Sequence, residues 1–235
     1  PFIFLVPLAV EAWFRNQRRA AAVRIAVGVG TALLINLPFM MINPSGWLAT
    51  YKFHSIRQPN VDSIWGLKFL WSSVSRQWPV DQLNLLTTAL ILGSFLLLLA
   101  LGWRRAARDR EYPVLPVCGA MVAVFLLWNK VHSPQYTLWL LPFFVLLRPN
   151  VIWWMTYVII DGLIYVTIFY LARISLDSAA PYLHVLVFAR ACALLALGVV
   201  FLRADAVVLP ANSDPITNDI EVKNLHSKLI SLASS

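Results

Sequence analysis

A short polar segment from Asn129 to Tyr136 carries the groups of this chain that are best suited to chemistry. It reads Asn-Lys-Val-His-Ser-Pro-Gln-Tyr and stands between two stretches that are nearly pure hydrocarbon. Its ammonium, imidazole, carboxamide and phenol belong to Lys130, His132, Gln135 and Tyr136. The proline stops the backbone from continuing as a helix. We therefore interpret the segment as a donor-rich pocket suited to a phosphate and a sugar.

The lengths of the neighbouring apolar stretches favour a position below the membrane surface for this segment. Thr137 to Leu147 is too short to cross about 30 Å of hydrocarbon, and the stretch that ends at Trp128 is barely long enough. Irregular backbone at that depth is tolerated only where protein buries it or where it lines a wet cavity. The alternative is a hydrated surface hairpin in which Trp128 and Trp139 are interfacial anchors.

A second polar region lies in the segment from Pro44 to Gln82, which is long for a loop and not apolar enough for a span. Lys52 and Arg57 have the charge to bind a phosphate. Asp62 suits either of two roles, a base or the cap of a helix that starts just after it.

The end of that segment predicts an interfacial helix from Ile64 to Trp78. Its large apolar and aromatic residues alternate with polar ones, as in helices that lie in the membrane surface. Lys68 and Arg76 are placed to reach the lipid headgroups.

Composition indicates a membrane protein, since 60% of residues are hydrophobic, 13% are charged, and the apolar ones occur in blocks of about twenty. We predict an all-α fold: a polytopic transmembrane helical bundle over residues 1–205, then a polar cytoplasmic tail over residues 206–235. The predicted apolar helices are one ending near Val10, then Ala20–Asn43, Leu83–Trp103, Pro113–Trp128, Thr137–Leu147, Val151–Leu171 and Tyr182–Leu202. Because the chain opens inside an apolar stretch, we interpret it as the later part of a longer protein.

The basic residues of alternate loops predict the orientation. They fall on one side of the predicted bundle: Arg15, Arg18, Arg19, Arg24, Arg104, Arg105, Arg108, Arg110, Arg148 and Arg203. The positive-inside rule makes that side cytoplasmic. The Asn129–Tyr136 segment, the Pro44–Gln82 segment and the loop from Ala172 to Pro181 then share the extracytoplasmic side of a cell membrane that the chain crosses several times.

Two charged residues fall inside the last two predicted spans. Asp161 and Arg190 would lie at similar depths, since both are about 12–15 Å from the outer boundary at 1.5 Å rise per residue. A lone charge there costs several kcal/mol, so we interpret them as a structural ion pair that joins the two helices. A role in a substrate pathway is the alternative.

Other classes of site find less support in the residues. The formal charge of +8 comes mostly from short loops beside apolar spans, which argues against a nucleic-acid partner. Cys118 and Cys192 fall in apolar spans and indicate neither a disulfide framework nor a metal site. No carboxylate, Cys or His cluster has metal-ligand spacing, and no Gly-rich phosphate loop or nucleotide fingerprint is present. We expect no metal and no cofactor.

The stretches Asn129–Tyr136 and Leu138–Pro142 resemble the motif of integral-membrane glycosyltransferases of the GT-C superfamily. The resemblance is closest to the polyprenyl-phosphate-mannose-dependent mannosyltransferases of glycosyltransferase family 87. Phe53–Arg57 and Asp62–Gly66 resemble the extracytoplasmic loop that precedes this motif in those proteins. The resemblance spans roughly residues 1–147, and only these short stretches are specific.

The resemblance implies a mannosyltransferase that takes its sugar from a polyprenyl-phosphate donor and passes it to a lipid or glycan acceptor. The family's presumed catalytic acid lies in a first extracytoplasmic loop that this chain does not contain. Cations in a pocket of low dielectric would stabilise the phosphate leaving group as its bond to the sugar breaks. The candidate catalytic residue is His132. The candidate substrate-binding residues are Lys130, Gln135, Tyr136, His54, Arg57 and Asp62.

Two other functions remain open. A membrane transporter or flippase subunit for a lipid-linked or polar substrate would also use buried charges and broken helices. Such folds carry internal repeats. The sequence shows no convincing repeat, because the spans on either side of the Asn129–Tyr136 segment differ in length and polarity. A purely structural membrane subunit is the other alternative, and it leaves the polar segment unexplained.

Overall fold

The computed structural model describes residues 2–67, 79–171 and 176–205, and within these ranges the chain is helical without any β-strand. Eight α-helices follow one another in these ranges: α1 (Leu5–Phe14), α2 (Arg18–Ile42), α3 (Pro44–Ile56), α4 (Val80–Asp109), α5 (Val114–Trp128), α6 (Leu141–Leu147), α7 (Val151–Val166) and α8 (Leu176–Arg203). Short 3₁₀ turns cover Phe2–Phe4, Ile64–Gly66 and Pro134–Trp139, and a π turn, Thr167–Leu171, extends α7. The predicted all-α class is confirmed.

In the part of the chain that the structure describes, four helices are long and apolar enough to cross a membrane: Arg18–Ile42, Val80–Asp109, Val151–Tyr170 and Pro181–Arg203. Their bounds agree with four of the predicted spans to within a few residues, because long apolar blocks are the strongest pattern in the sequence. The protein is therefore a helical membrane protein. Most of the predicted interfacial helix and the whole predicted tail lie outside the described residues.

Helix α5 forms the centre of the bundle. It is apolar on all sides, and 11 of its 15 residues are buried, as is typical of a helix enclosed by protein. Gly119 allows Phe143 and Phe201 to approach closely, since a Cβ at this position would lie 3.0 Å from the first ring and 3.2 Å from the second. With neighbours on its faces, α5 does not need to match the full bilayer thickness, although it is only about 22 Å long.

Two predicted helices differ in the structure. Helix α1 continues to Phe14 instead of ending near Val10, because the charge of Glu11 is satisfied by Arg15 at 2.6 Å and by Arg24 at 2.5 Å. The predicted helix Thr137–Leu147 is a 3₁₀ turn followed by α6, whose seven residues extend only about 10 Å.

Helix α3 was not predicted, and it occupies the first part of the Pro44–Gln82 segment. The side chain of Asn43 accepts a hydrogen bond from the Gly46 amide at 2.9 Å, and proline at the first helical position suits its fixed φ. No residue of α3 is buried, and its contacts are with α2 and α4. The helix thus lies on the outside of the bundle and packs against two of the long helices, as an interfacial helix does.

Polar contacts mark two opposite ends of the bundle. At one end Lys130 donates a hydrogen bond to Asn84 near the start of α4. At the other end Arg105 pairs with Asp109 and Asp205, and Arg15 pairs with Glu111. Asn84 and Arg105 are almost six turns apart on α4, about 32 Å, which matches the hydrocarbon thickness of a bilayer.

This separation predicts opposite labelling of the two ends by a membrane-impermeant maleimide. Ala107 and Gln135 are both exposed, so each is suited to replacement by cysteine in a chain whose own cysteines have been changed to alanine. In intact cells we expect Gln135→Cys to react and Ala107→Cys to react only after the membrane is permeabilised. Equal reactivity of both in intact cells would contradict the assignment.

Candidate functional site

The loop of residues 57–63 is joined to the Lys130 segment by main-chain and side-chain hydrogen bonds. The Asn60 amide donates to the carbonyl of Lys130 at 2.9 Å, and Asn60 Nδ2 donates to the carbonyl of His132 at 2.8 Å. Just beyond the loop, the indole of Trp65 donates to the carbonyl of Trp128 at 2.8 Å. Residues 57–65 and the start of the Asn129–Tyr136 segment therefore lie together at one end of the bundle.

Local sequence explains why both stretches are irregular. Proline at positions 59 and 134 interrupts helical hydrogen bonding and restricts the residue before it. At Asn129 the side-chain oxygen accepts a hydrogen bond from the Val131 amide at 3.3 Å, which bends the backbone at Lys130. The side chains of Lys130 and His132 consequently have different partners.

Lys130 is fixed at the open side of this junction. Its Nζ donates to Asn84 Oδ1 at 2.5 Å and to the carbonyl of Ser55 at 3.4 Å. Asn84 Nδ2 also donates to the Ser55 carbonyl, at 2.6 Å, so the three residues form a small hydrogen-bonded set. The ammonium is thereby held in one position at the C-terminal end of α3.

Arg57 supplies a second cation beside Lys130. Its Nη2 donates to Asn60 Oδ1 at 3.2 Å, and its guanidinium lies 5.9 Å from the centre of the Phe53 ring. Burial and the charge of Arg57 lower the pKa of the Lys130 ammonium, and the carboxylate of Asp81 opposes them. Two like charges that disfavour each other create a place where an anion is stabilised.

A network of charged side chains lies behind this junction and is buried. Arg190 Nη1 donates to Asp161 Oδ1 at 2.7 Å, so the structure brings together the two residues predicted as an ion pair. Thr137 Oγ1 donates to the other carboxylate oxygen of Asp161 at 2.6 Å. The second guanidinium nitrogen, Nη2, donates to the main-chain carbonyl of Asp62 and lies 3.8 Å from its carboxylate.

His132 faces this buried network. Its side chain is almost fully buried, and Nε2 lies 3.6 Å from Asp161 Oδ1, too far for a hydrogen bond. Burial lowers the pKa of His132, and the contact with Asp161 opposes that effect. The cavity that His132 and Arg190 line has a volume of about 10 Å³. That space is far too small for a sugar, so a role for His132 in direct contact with substrate does not fit its position.

The roles expected for Asp62, which were substrate binding, a base or a helix cap, do not fit its position either, because its side chain is buried. Asp62 is 7% exposed, and its carboxylate faces Arg190. The turn Ile64–Gly66 follows Ser63 without a side-chain cap hydrogen bond, so the capping role is not observed. Asp62 is a member of the buried network and does not line an open substrate site.

The other three candidate residues belong neither to the hydrogen-bonded set around Lys130 nor to the buried network around Arg190. His54 is exposed on α3, with its ring edge-on to Phe53 at 5.4 Å. Gln135 is also exposed. The ring of Tyr136 packs 4.6 Å from that of Trp139 and 6.0 Å from that of His132.

Three polar residues of the site were missed by the sequence analysis. Asn60 joins the two motifs, Asn84 holds Lys130, and Thr137 binds Asp161. Asn60 lies in a loop, Asn84 in the second turn of α4 and Thr137 in the turn Pro134–Trp139. Asparagine and threonine are common at such positions, so their types alone give no functional signal. Only their positions in the folded chain distinguish them.

A groove of about 450 Å³ lies between the end of α2 and the first two turns of α3. Phe39 and Asn36 line it from α2, and Trp47 and Tyr51 line it from α3. The Trp47 indole donates to Asn36 Oδ1 at 3.1 Å, and the Trp47 and Tyr51 rings lie 4.9 Å apart. The groove is mostly apolar and open, and α3 leads from it towards Arg57.

Within residues 2–67, 79–171 and 176–205, no group of three or more His, Cys, Asp or Glu side chains is arranged to hold a metal ion. Comparison with protein-family models, with curated proteins and with solved structures finds no match to this chain. The membrane bundle and the geometry of its polar end are therefore the basis for the assignment of function.

Proposed function

We propose that the protein is a membrane glycosyltransferase that moves a sugar, in the first place mannose, from a polyprenyl-phosphate donor to a lipid or glycan acceptor. The observation that carries the proposal is the pair of cations, Arg57 and Lys130, which neighbouring polar groups hold side by side at one end of the membrane bundle. The basic residues at the other end support an extracytoplasmic position for this site, by the positive-inside rule.

The chemistry required of such a site is stabilisation of charge on the leaving phosphate. When the bond between the anomeric carbon and the phosphate oxygen breaks, negative charge develops on that oxygen. A guanidinium binds phosphate through a planar fork of N–H groups, and an ammonium acts as a compact point charge. Because neighbouring groups already fix both cations, little reorganisation is needed in the transition state.

Because His132 is buried behind the cations, we give it the role of positioning the neighbouring backbone. Its main-chain carbonyl holds Asn60, and its imidazole packs against Asp161 and Tyr136. The residue thereby orients the backbone that carries Lys130.

The groove beside α3 suits the hydrocarbon part of the proposed donor. It is mostly apolar, it opens on the outer surface of the bundle, and Tyr51 is about one and a half helical turns from the end of α3 near Arg57. A lipid whose phosphate contacts the two cations would find apolar and aromatic side chains within about 10 Å.

Transfer from a chosen donor tests the proposed function. Full-length protein in proteoliposomes would be supplied with radiolabelled polyprenyl-phosphate-mannose, and in a parallel reaction with a nucleotide-linked mannose. We expect the label to reach a lipid or glycan acceptor only from the polyprenyl donor. Movement of the intact donor across the bilayer without transfer would favour a flippase instead.

A further inference from the structure

We propose that Asn60 is a positioning residue that sets the separation of the two phosphate-binding cations, an inference that rests on the proposed function. Its carboxamide is shared between the two motifs. The Oδ1 atom accepts a hydrogen bond from Arg57 at 3.2 Å, and Nδ2 donates to the carbonyl of His132 at 2.8 Å. Its own amide donates to the carbonyl of Lys130 at 2.9 Å. One residue thus contacts the chain at both cations.

Among the surrounding contacts, the hydrogen bonds of Asn60 connect the Arg57 side chain with the backbone at Lys130 and His132. Trp65 and Arg190 anchor the loop further along the chain, through the carbonyls of Trp128 and Asp62 respectively. Those bonds fix the loop to the bundle but contact neither cation. The ammonium of Lys130 is fixed by Asn84 and by the carbonyl of Ser55. The guanidinium of Arg57 packs on the Phe53 ring and hydrogen-bonds to Asn60, so Asn60 supplies the polar link between this guanidinium and the backbone at Lys130.

Both Oδ1 and Nδ2 of Asn60 form hydrogen bonds, so few other side chains could replace asparagine here. Aspartate would keep the acceptor for Arg57, yet it would lose the donor to the His132 carbonyl and would add a charge that neutralises the cation. Alanine would remove both links. Asparagine provides one neutral donor and one neutral acceptor, and it leaves the full charge of Arg57 for an anion.

The test measures binding of polyprenyl phosphate, which carries no sugar, and transfer kinetics on the same full-length variants. We expect Asn60→Ala to weaken binding of polyprenyl phosphate by about fivefold to tenfold and to raise the KM for the donor by a similar factor. The kcat at saturating donor should change by less than about twofold. Asn60→Asp should weaken binding at least as much, although it retains the acceptor.

Ser63→Ala is the matched control, because Ser63 Oγ donates to the Asn60 carbonyl at 2.7 Å in the same loop and touches neither cation. This control should leave binding within about twofold of the wild type. In an Arg57→Ala background, Asn60→Ala should lose most of its effect on binding. Equal weakening by Ser63→Ala, or an undiminished Asn60 effect without Arg57, would overturn the inference.

Failure of the inference differs from failure of the proposed function. If polyprenyl phosphate binds and depends on Asn60 while no sugar is transferred, the transferase proposal is wrong and the positioning role stands. If transfer occurs and none of the Asn60 variants changes KM or binding, the positioning role is wrong and the transferase proposal stands.

Discussion

Replacing Arg190 with glutamine is expected to destabilise the folded protein by about 3–5 kcal/mol, more than replacing Asp161 with asparagine. Arg190 is buried between two carboxylates, at 2.7 Å from Asp161 and 3.8 Å from Asp62. Its loss leaves both acids buried without a counter-charge. Loss of the Asp161 charge leaves Arg190 with Asp62, and the new amide can still accept a hydrogen bond from Thr137.

Reversible unfolding of the purified protein in mixed detergent measures both effects. The double variant Asp161→Asn/Arg190→Gln should lose less stability than the sum of the two single variants, because it removes one of the two carboxylates that the loss of Arg190 strands. Arg15→Gln is the control, since this side chain is half exposed and pairs with Glu11 at 2.6 Å. It should cost no more than about 1 kcal/mol. Additive single effects, or a larger loss from Asp161→Asn, would contradict the arrangement.

Replacing Lys130 with alanine is expected to lower sugar transfer by at least about tenfold, which corresponds to about 1.4 kcal/mol of transition-state stabilisation. The folded fraction should not change, because the side chain is partly exposed and its loss creates no buried cavity. Lys130→Arg should restore only part of the rate, since a planar fork does not fit the small site that Asn84 and the Ser55 carbonyl form for an ammonium.

The variant Asn84→Ala distinguishes the effect of the position of the Lys130 charge on transfer from the effect of the charge itself. The variant keeps the ammonium and removes its 2.5 Å hydrogen bond, so transfer should fall by less than in Lys130→Ala. Initial rates measured over a range of donor concentrations distinguish the two. A wild-type rate in Lys130→Ala would return the Asn129–Tyr136 segment to the interpretation of a hydrated hairpin.

Long apolar blocks made the four membrane-spanning helices predictable, since hydrocarbon thickness imposes their length. The pairing of Asp161 with Arg190 followed from their equal depth, because a buried charge requires a partner. Helix α3 was missed, although Asn43 followed by proline is an ordinary start signal. Its surroundings are polar enough to read as a loop, and its apolar residues lack a helical period.

The candidate site was harder to predict than the helices, because the path of the irregular backbone decides which side chains face one another. Lys130 and His132 were expected in one pocket, because their donor groups lie close together in a single polar segment. The hydrogen bond from Val131 to the Asn129 side chain bends the chain between them. Asp62, far away in sequence, joins the Asp161–Arg190 pair through a loop whose path no local pattern specifies.

The rate of sugar transfer by a variant that lacks both Arg57 and Lys130 most directly tests the claim that these cations bind the donor phosphate. Arg57→Ala/Lys130→Ala would be compared with Arg104→Ala/Arg108→Ala, which removes the same charge from exposed positions at the opposite end of the bundle. With radiolabelled polyprenyl-phosphate-mannose, we expect kcat/KM to fall by about a hundredfold in the first variant and to change by less than about twofold in the second. Equal rates in both variants, with both folded, would contradict a donor-phosphate site at Arg57 and Lys130.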